Sequence, residues 1–270
     1  MISIYDVERV RALVLDFYDN AWKSTADTRR VFAHIGYELT TAAITTVPLL
    51  QTLNHVDALY AGPIARAGCG LFRPPVITVL EKICTANGIR FEAFGLGLRR
   101  SENPLRTPAI VYWNTLQQIA DLDLSSAAIL IYEMGEATGS TLEGAMNELR
   151  RLNARPRNVV VLIGAACIDQ TQRRLDTVAP GLNVVIGSRW RYDEMPGPTQ
   201  YYLTHVLNDG WTPVAPRDWG RCVSGMIDLA SVDAFIDWIR ETLSITPSDQ
   251  AMLRQTWSRK IHEKRISPRS

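Results

Sequence analysis

The sequence predicts an α/β protein built on a parallel sheet, and three observations predict it. Apolar runs of strand length recur at residues 57–65, 89–98, 127–133, 159–165 and 182–186. Segments of helical spacing separate most of them. One stretch, residues 127–141 (AAILIYEMGEATGST), passes from strand through a tight Gly-containing turn into a helix. Such alternation lays helices over a sheet and gathers ligands at the carboxyl ends of its strands.

Taken in order, Val7, Val10, Leu13, Val14, Phe17 and Ala21 recur at helical spacing with charges between them, which predicts a first amphipathic helix. A second helix is expected from about Ser24 to Leu50, with His34 as a helix residue rather than a catalyst. Residues 57–65 form a strand entering the loop 66–70 (RAGCG), 74–86 a helix, and 89–98 the next strand, a parallel β–α–β unit. Residues 99–114 (RRSENPLRTPAIVYWN) read as a long loop or hairpin able to close over a site. Residues 116–124 carry no clear pattern. Leu142, Ala145, Met146, Leu149 and Leu152 mark one helix after the central strand, and a helix within 170–178 joins the last two apolar strands. Residues 190–225, rich in turn residues and aromatics, predict an excursion or β-arm. Two helices follow, from Ser231 to Leu243 and from about Thr246.

Composition limits the partners. The 270 residues are 46% hydrophobic, enough for one sizeable α/β domain. With 29 Lys and Arg against 28 Asp and Glu, no global field favours nucleic acid or an anionic membrane, so any anion site is local. Cys69, Cys84, Cys167 and Cys222 are widely spaced and form neither a zinc pattern nor a disulfide framework, which predicts reduced thiols and a cytoplasmic setting. No segment approaches roughly 18 uncharged apolar residues, so no membrane span is expected.

The turn of residues 137–141 is where chemistry is expected. A helix that starts there exposes unpaired N–H groups at its positive end, and Gly139 lets backbone approach a ligand. Phosphate suits such a turn. Thr138, Ser140 and Thr141 add hydroxyls, and Glu133, expected at the last strand position, suits sugar hydroxyls. Sugar and phosphate together suggest a ribose 5-phosphate. Taken alone, the same residues equally suit a plain helix N-cap with a turn glycine. A nucleotide-hydrolase loop is excluded, because Gly135 and Gly139 are separated by three residues and no Lys follows.

Four separated segments, in order, give the chain a resemblance to the type I phosphoribosyltransferases, among them most closely the uracil phosphoribosyltransferases. Residues 24–44 (STADTRRVFAHIGYELTTAAI) look like that family's N-terminal helix, and 62–71 (GPIARAGCGL) are similar to its Pro-Ile-Leu-Arg-Ala-Gly-Leu-Gly loop. Arg99 with Pro108 and Tyr112 resembles its mobile loop, and EMGEATGST stands where the family has Asp-Pro-Met-Leu-Ala-Thr-Gly-Gly-Ser. Residues 207–225 resemble the segment that carries the uracil site. The resemblance implies a parallel-sheet core with helices on both faces, a hood formed by the β-arm, a domain over residues 1–225 and a helical extension over 226–270. It implies transfer of a phosphoribosyl group from 5-phosphoribosyl 1-diphosphate (PRPP) to a nitrogen heterocycle, release of pyrophosphate, and a homodimer.

Residue by residue, the resemblance assigns Ala137, Thr138, Gly139, Ser140 and Thr141 to the 5-phosphate and Glu133 to the ribose hydroxyls. Arg66, Ala67 and Gly68, with Arg99, fall to the diphosphate, and Thr212, Arg217, Asp218 and Trp219 to the base side. Arg66, Arg99 and Asp218 are the residues expected to carry catalysis; for Arg99 a solvated loop charge, or Arg100 in its place, stays open. Mg²⁺ is expected mainly on the diphosphate, with no protein metal cage. The departures are informative. Glu133 is one methylene longer than the family's Asp, Glu136 replaces an apolar residue, and Ser140 a glycine. Arg217 and Trp219 replace small residues, so the acceptor is expected to be uracil or a modified, larger or anionic relative. The alternative is a non-catalytic protein that senses a nucleotide or PRPP on the same fold.

Overall fold

The computed structural model describes residues 1–20, 25–64, 71–72, 74–99, 106–118, 123–136, 138–190 and 251. The expected β-arm, most of the C-terminal extension and the boundary at residue 225 lie outside them.

Long apolar runs become the middle of a sheet. Strands β1 (Ser3–Asp6), β2 (Ala58–Pro63), β3 (Arg90–Ala93), β6 (Ala128–Glu136), β7 (Val159–Cys167) and β8 (Asn183–Trp190) form one six-stranded sheet in the order β1-β8-β7-β6-β2-β3. Every pairing in it is parallel. Every residue of β7 is buried, and all of β6 but Gly135, because helices cover both faces. On one face, helices α1 (Glu8–Asn20), α2 (Thr25–Thr46) and α4 (Pro74–Ala86) contribute Val10, Val14, Phe32, Ile35, Val76 and Leu80 to a core against Leu130, Tyr132 and Leu162. On the other, α5 (Ser140–Arg151) and α6 (Ile168–Val178) contribute Leu142, Met146, Leu149 and Leu175 against Ile129, Ile131 and Val161.

Several boundaries differ from expectation for physical reasons. The expected second helix stops at Thr46, since Pro48 cannot continue it and instead opens the short α3 (Pro48–Gln51). The expected single strand 89–98 is two. After β3 the Gly95 N–H donates to Thr115 Oγ1 at 2.9 Å and the Gly95 carbonyl accepts from the Thr115 N–H at 3.2 Å. The chain thereby leaves the sheet and enters β4 (Leu96–Arg99), which pairs antiparallel with β5 (Ile110–Asn114) in a separate ribbon, the hairpin alternative for residues 99–114. Strand β1 was not expected at all: four residues that run into an amphipathic helix leave no separate signal.

The ribbon lies on α5. Ala109 N–H donates to the Ser140 carbonyl at 3.0 Å, and Asn114 Nδ2 to Glu148 Oε1 at 2.8 Å. Gly144 makes this approach possible, because a Cβ there would stand 2.3 Å from the Ala109 carbonyl oxygen.

Connection order sets the place for a ligand. From β2 the chain passes through α4 to β3 on one side, and from β6 through α5 to β7 on the other. Adjacent strands β2 and β6 therefore bound the point where the winding reverses, the crevice where open α/β sheets bind ligands.

Candidate functional site at the carboxyl end of the central strand

Strand β6 runs three residues beyond Glu133, to Glu136, so Glu133 is within the strand rather than at its last position. It is 8% exposed, and its Oε1 accepts the N–H of the next residue, Met134, at 2.9 Å. A carboxylate held this way is fixed in direction before any ligand arrives.

Gly139 takes φ +74°, the left-handed region that glycine enters without a Cβ penalty, and stands as the N-cap of α5. It has no side chain to cap the helix. Glu136 supplies the missing acceptor: its Oε1 accepts the Gly139 N–H at 2.8 Å and the Thr138 N–H at 3.3 Å. The Glu136 charge is thus turned onto the loop's own donors, at the positive end of the α5 dipole. Glu136 is 2% exposed.

The hydroxyls are engaged as well. Thr138 Oγ1 accepts the Ser140 N–H at 3.3 Å, and Ser140 Oγ donates to the Thr107 carbonyl at 2.9 Å, tying the loop to the foot of the ribbon. Thr138, Ser140 and Thr141 are all buried.

Arg174 on α6 closes the far side. Its Nε donates to Glu143 Oε2 on α5, and its Nη1 to the Thr138 carbonyl at 3.3 Å. Both side chains are largely buried, so the pair is little screened by water. Thr171, one turn earlier on α6, packs against Gly139 with its Cα 3.3 Å from where a Cβ would be. Sequence reasoning missed Arg174, Thr171 and Thr107, since each reaches the loop from an element distant in the chain, and Glu143, which in the sequence is one more charge in the first turn of a helix.

Of the expected site residues, the fold brings Glu133, Thr138, Gly139, Ser140 and Thr141 to this junction. Ile64, the residue after β2, donates its N–H to the Tyr132 carbonyl at 2.9 Å, so the end of β2 lies beside the strand position that precedes Glu133. Arg99 ends β4. Arg66, Ala67, Gly68, Ala137, Thr212, Arg217, Asp218 and Trp219 lie outside the described residues. Among the described residues no three His, Cys, Asp or Glu side chains are grouped to hold a metal ion, and no helix is long and apolar enough to cross a membrane.

No protein-family model matches the chain, and no curated protein matches it in sequence. Solved structures do. The AQ2163 protein from Aquifex aeolicus superposes with a TM-score of 0.52 at 17% identity, over 71% of this chain and 88% of that one. The adenine phosphoribosyltransferase of Leishmania donovani gives 0.41 at 11% identity, over 69% and 84%. That of Giardia lamblia, solved with 9-deazaadenine, gives 0.37 at 12% identity, over 60% and 81%. Scores below 0.5 at such identities distinguish neither family nor substrate. What the likeness to the Aquifex protein shows is shared architecture: this chain is an α/β protein with helices on both faces of a six-stranded parallel sheet.

Proposed function

We propose that the chain is a phosphoribosyltransferase that moves the 5-phosphoribosyl group from PRPP to a nitrogen heterocycle and releases pyrophosphate. The observation that carries the reading is the position of the 138–141 turn. It follows the strand next to β2 at the point where the winding reverses, and its N–H groups face an acceptor already. The family resemblance of the four sequence segments supplies the reaction.

In this reading the Thr138–Thr141 backbone holds the 5-phosphate. Glu133, oriented by the Met134 N–H, accepts the ribose hydroxyls. Arg66 and Arg99 take the diphosphate, whose charge grows as the bond to C1 breaks, and Asp218 stands on the base side. Thr212, Arg217 and Trp219 shape the acceptor pocket, which is uracil-like but altered. Mg²⁺ arrives mainly on diphosphate oxygens, where it neutralises charge. The work is positioning and electrostatics with little proton chemistry. The homodimer belongs to the same reading.

The hold of Glu136 on the loop donors favours a second reading, a non-catalytic protein that senses a nucleotide or PRPP on this fold. Incubation with PRPP, Mg²⁺ and a panel of pyrimidines and carboxylated heterocycles separates the two. Pyrophosphate release with any acceptor, lost in Arg66→Ala, supports the enzyme. Binding of PRPP with no release across the panel supports the sensor, and turnover of uracil alone removes the altered pocket.

A further inference from the structure

We infer that Glu136 is a tethered occupant of the anion cradle, so that a phosphomonoester enters the 138–141 turn only by displacing its carboxylate. The inference rests on the phosphate site of the preceding reading and adds a gate to it.

A carboxylate oxygen and a phosphate oxygen seek the same partners, backbone N–H groups at the start of a helix. Glu136 Oε1 already takes two of them, Gly139 N at 2.8 Å and Thr138 N at 3.3 Å. The side chain is 2% exposed, so a second anion beside it meets repulsion that water does not screen. A residue two and three positions from its donors also competes at a high effective concentration.

The loop backbone is held independently of Glu136. Arg174 Nη1 grips the Thr138 carbonyl at 3.3 Å, Ser140 Oγ grips the Thr107 carbonyl at 2.9 Å, and Ala109 N–H grips the Ser140 carbonyl at 3.0 Å. Moving one side chain therefore opens the cradle without unfolding it. A buried polar residue packs beside Gly139. The hydroxyl of Thr171, fully buried against Gly139, has no hydrogen-bond partner among the described residues. A buried hydroxyl without a partner is costly, and an arriving oxyanion is a fitting acceptor for it.

Apparent affinity equals intrinsic affinity scaled by the fraction of molecules with the cradle open. The test is titration of the full chain, its Glu136→Gln variant and its Glu136→Leu variant with ribose 5-phosphate. Calorimetry gives the affinity, and amide resonances of Thr138 and Gly139 report the site. Leucine vacates the donors, whereas glutamine keeps the shape and drops the charge. The expected result is binding about ten-fold tighter in Glu136→Leu, an intermediate gain in Glu136→Gln, and shifts at both amides. Should the leucine variant not fold, the glutamine variant decides alone. Equal affinity in all three proteins, with the amides shifting, overturns the gate and keeps the phosphate site. Failure of all three to bind overturns both. Binding in the expected order, together with no pyrophosphate release from PRPP across the acceptor panel described above, leaves the gate standing and removes the enzyme.

Discussion

Arg174 on α6 joins two groups of α5 and its entry loop at once: Nε donates to the Glu143 carboxylate and Nη1 to the Thr138 carbonyl at 3.3 Å. The guanidinium and its partner are 13% and 15% exposed. Removing one member of a poorly hydrated pair strands the other. Arg174→Ala is expected to lower unfolding free energy by about 1–3 kcal/mol. A chemical-denaturation cycle with Glu143→Ala checks it, since a pair that matters gives a double variant less damaged than the sum of the singles.

Gly139 holds φ +74° with Arg174 Cδ 3.1 Å and Thr171 Cα 3.3 Å from a would-be Cβ. Gly139→Ala forces an L side chain into the left-handed region and against α6. The expected cost is about 1–3 kcal/mol, read as a lower melting temperature, with ribose 5-phosphate binding weakened in the same protein.

Thr40 and Tyr132 form a buried relay between α2 and the central strand. Thr40 Oγ1 donates to the Gly36 carbonyl at 2.7 Å and lies 2.5 Å from the Tyr132 hydroxyl. Because the Thr40 proton goes to Gly36, the phenol donates to Thr40. Tyr132→Phe leaves Thr40 bonded and costs about 1 kcal/mol, whereas Thr40→Val buries an unpaired phenol and costs about 1–3 kcal/mol. A Thr40→Val loss smaller than that of Tyr132→Phe, measured by urea titration, would show that the phenol does not depend on Thr40.

Burial pushes the Cys84 thiol up from 9.0 to about 11. Below pH 9 both folded and unfolded chains keep the proton, and the full stability is present. Between pH 9 and about 11 only the unfolded thiol ionises, so stability falls as pH rises, by at most about 1.4 kcal/mol per unit. Urea titrations of the wild type and Cys84→Ala at pH 8 and pH 11 should converge at the higher pH. A constant gap would contradict the burial effect.

Legibility followed the range of the forces involved. Strands β6 and β7 were readable because a strand buried on both faces is a continuous apolar run. The turn at Gly139 was readable because one residue type answers a backbone need. By contrast, the break at Gly95 depends on Thr115, 20 residues later. The clamp on the loop comes from Arg174, 36 residues beyond Thr138, and in sequence it reads as one more charge on a helix. Glu136 stood out as a misplaced charge, yet which donors it meets depends on the reach of its side chain, not on spacing.

The strand at the start of the chain has a temporal consequence. Ser3 pairs with Asn183 and Asp6 with Ile186, so β1, made long before β8, waits until residues 183–186 are synthesised before it finds its neighbour. Strands β2, β3 and β6 can assemble earlier around α4, whereas the β1 edge closes only after β8 has emerged. Nascent chains stopped before residue 183 would carry that short strand with its hydrogen-bonding groups still open, and these are the lengths at which such a protein most needs a chaperone.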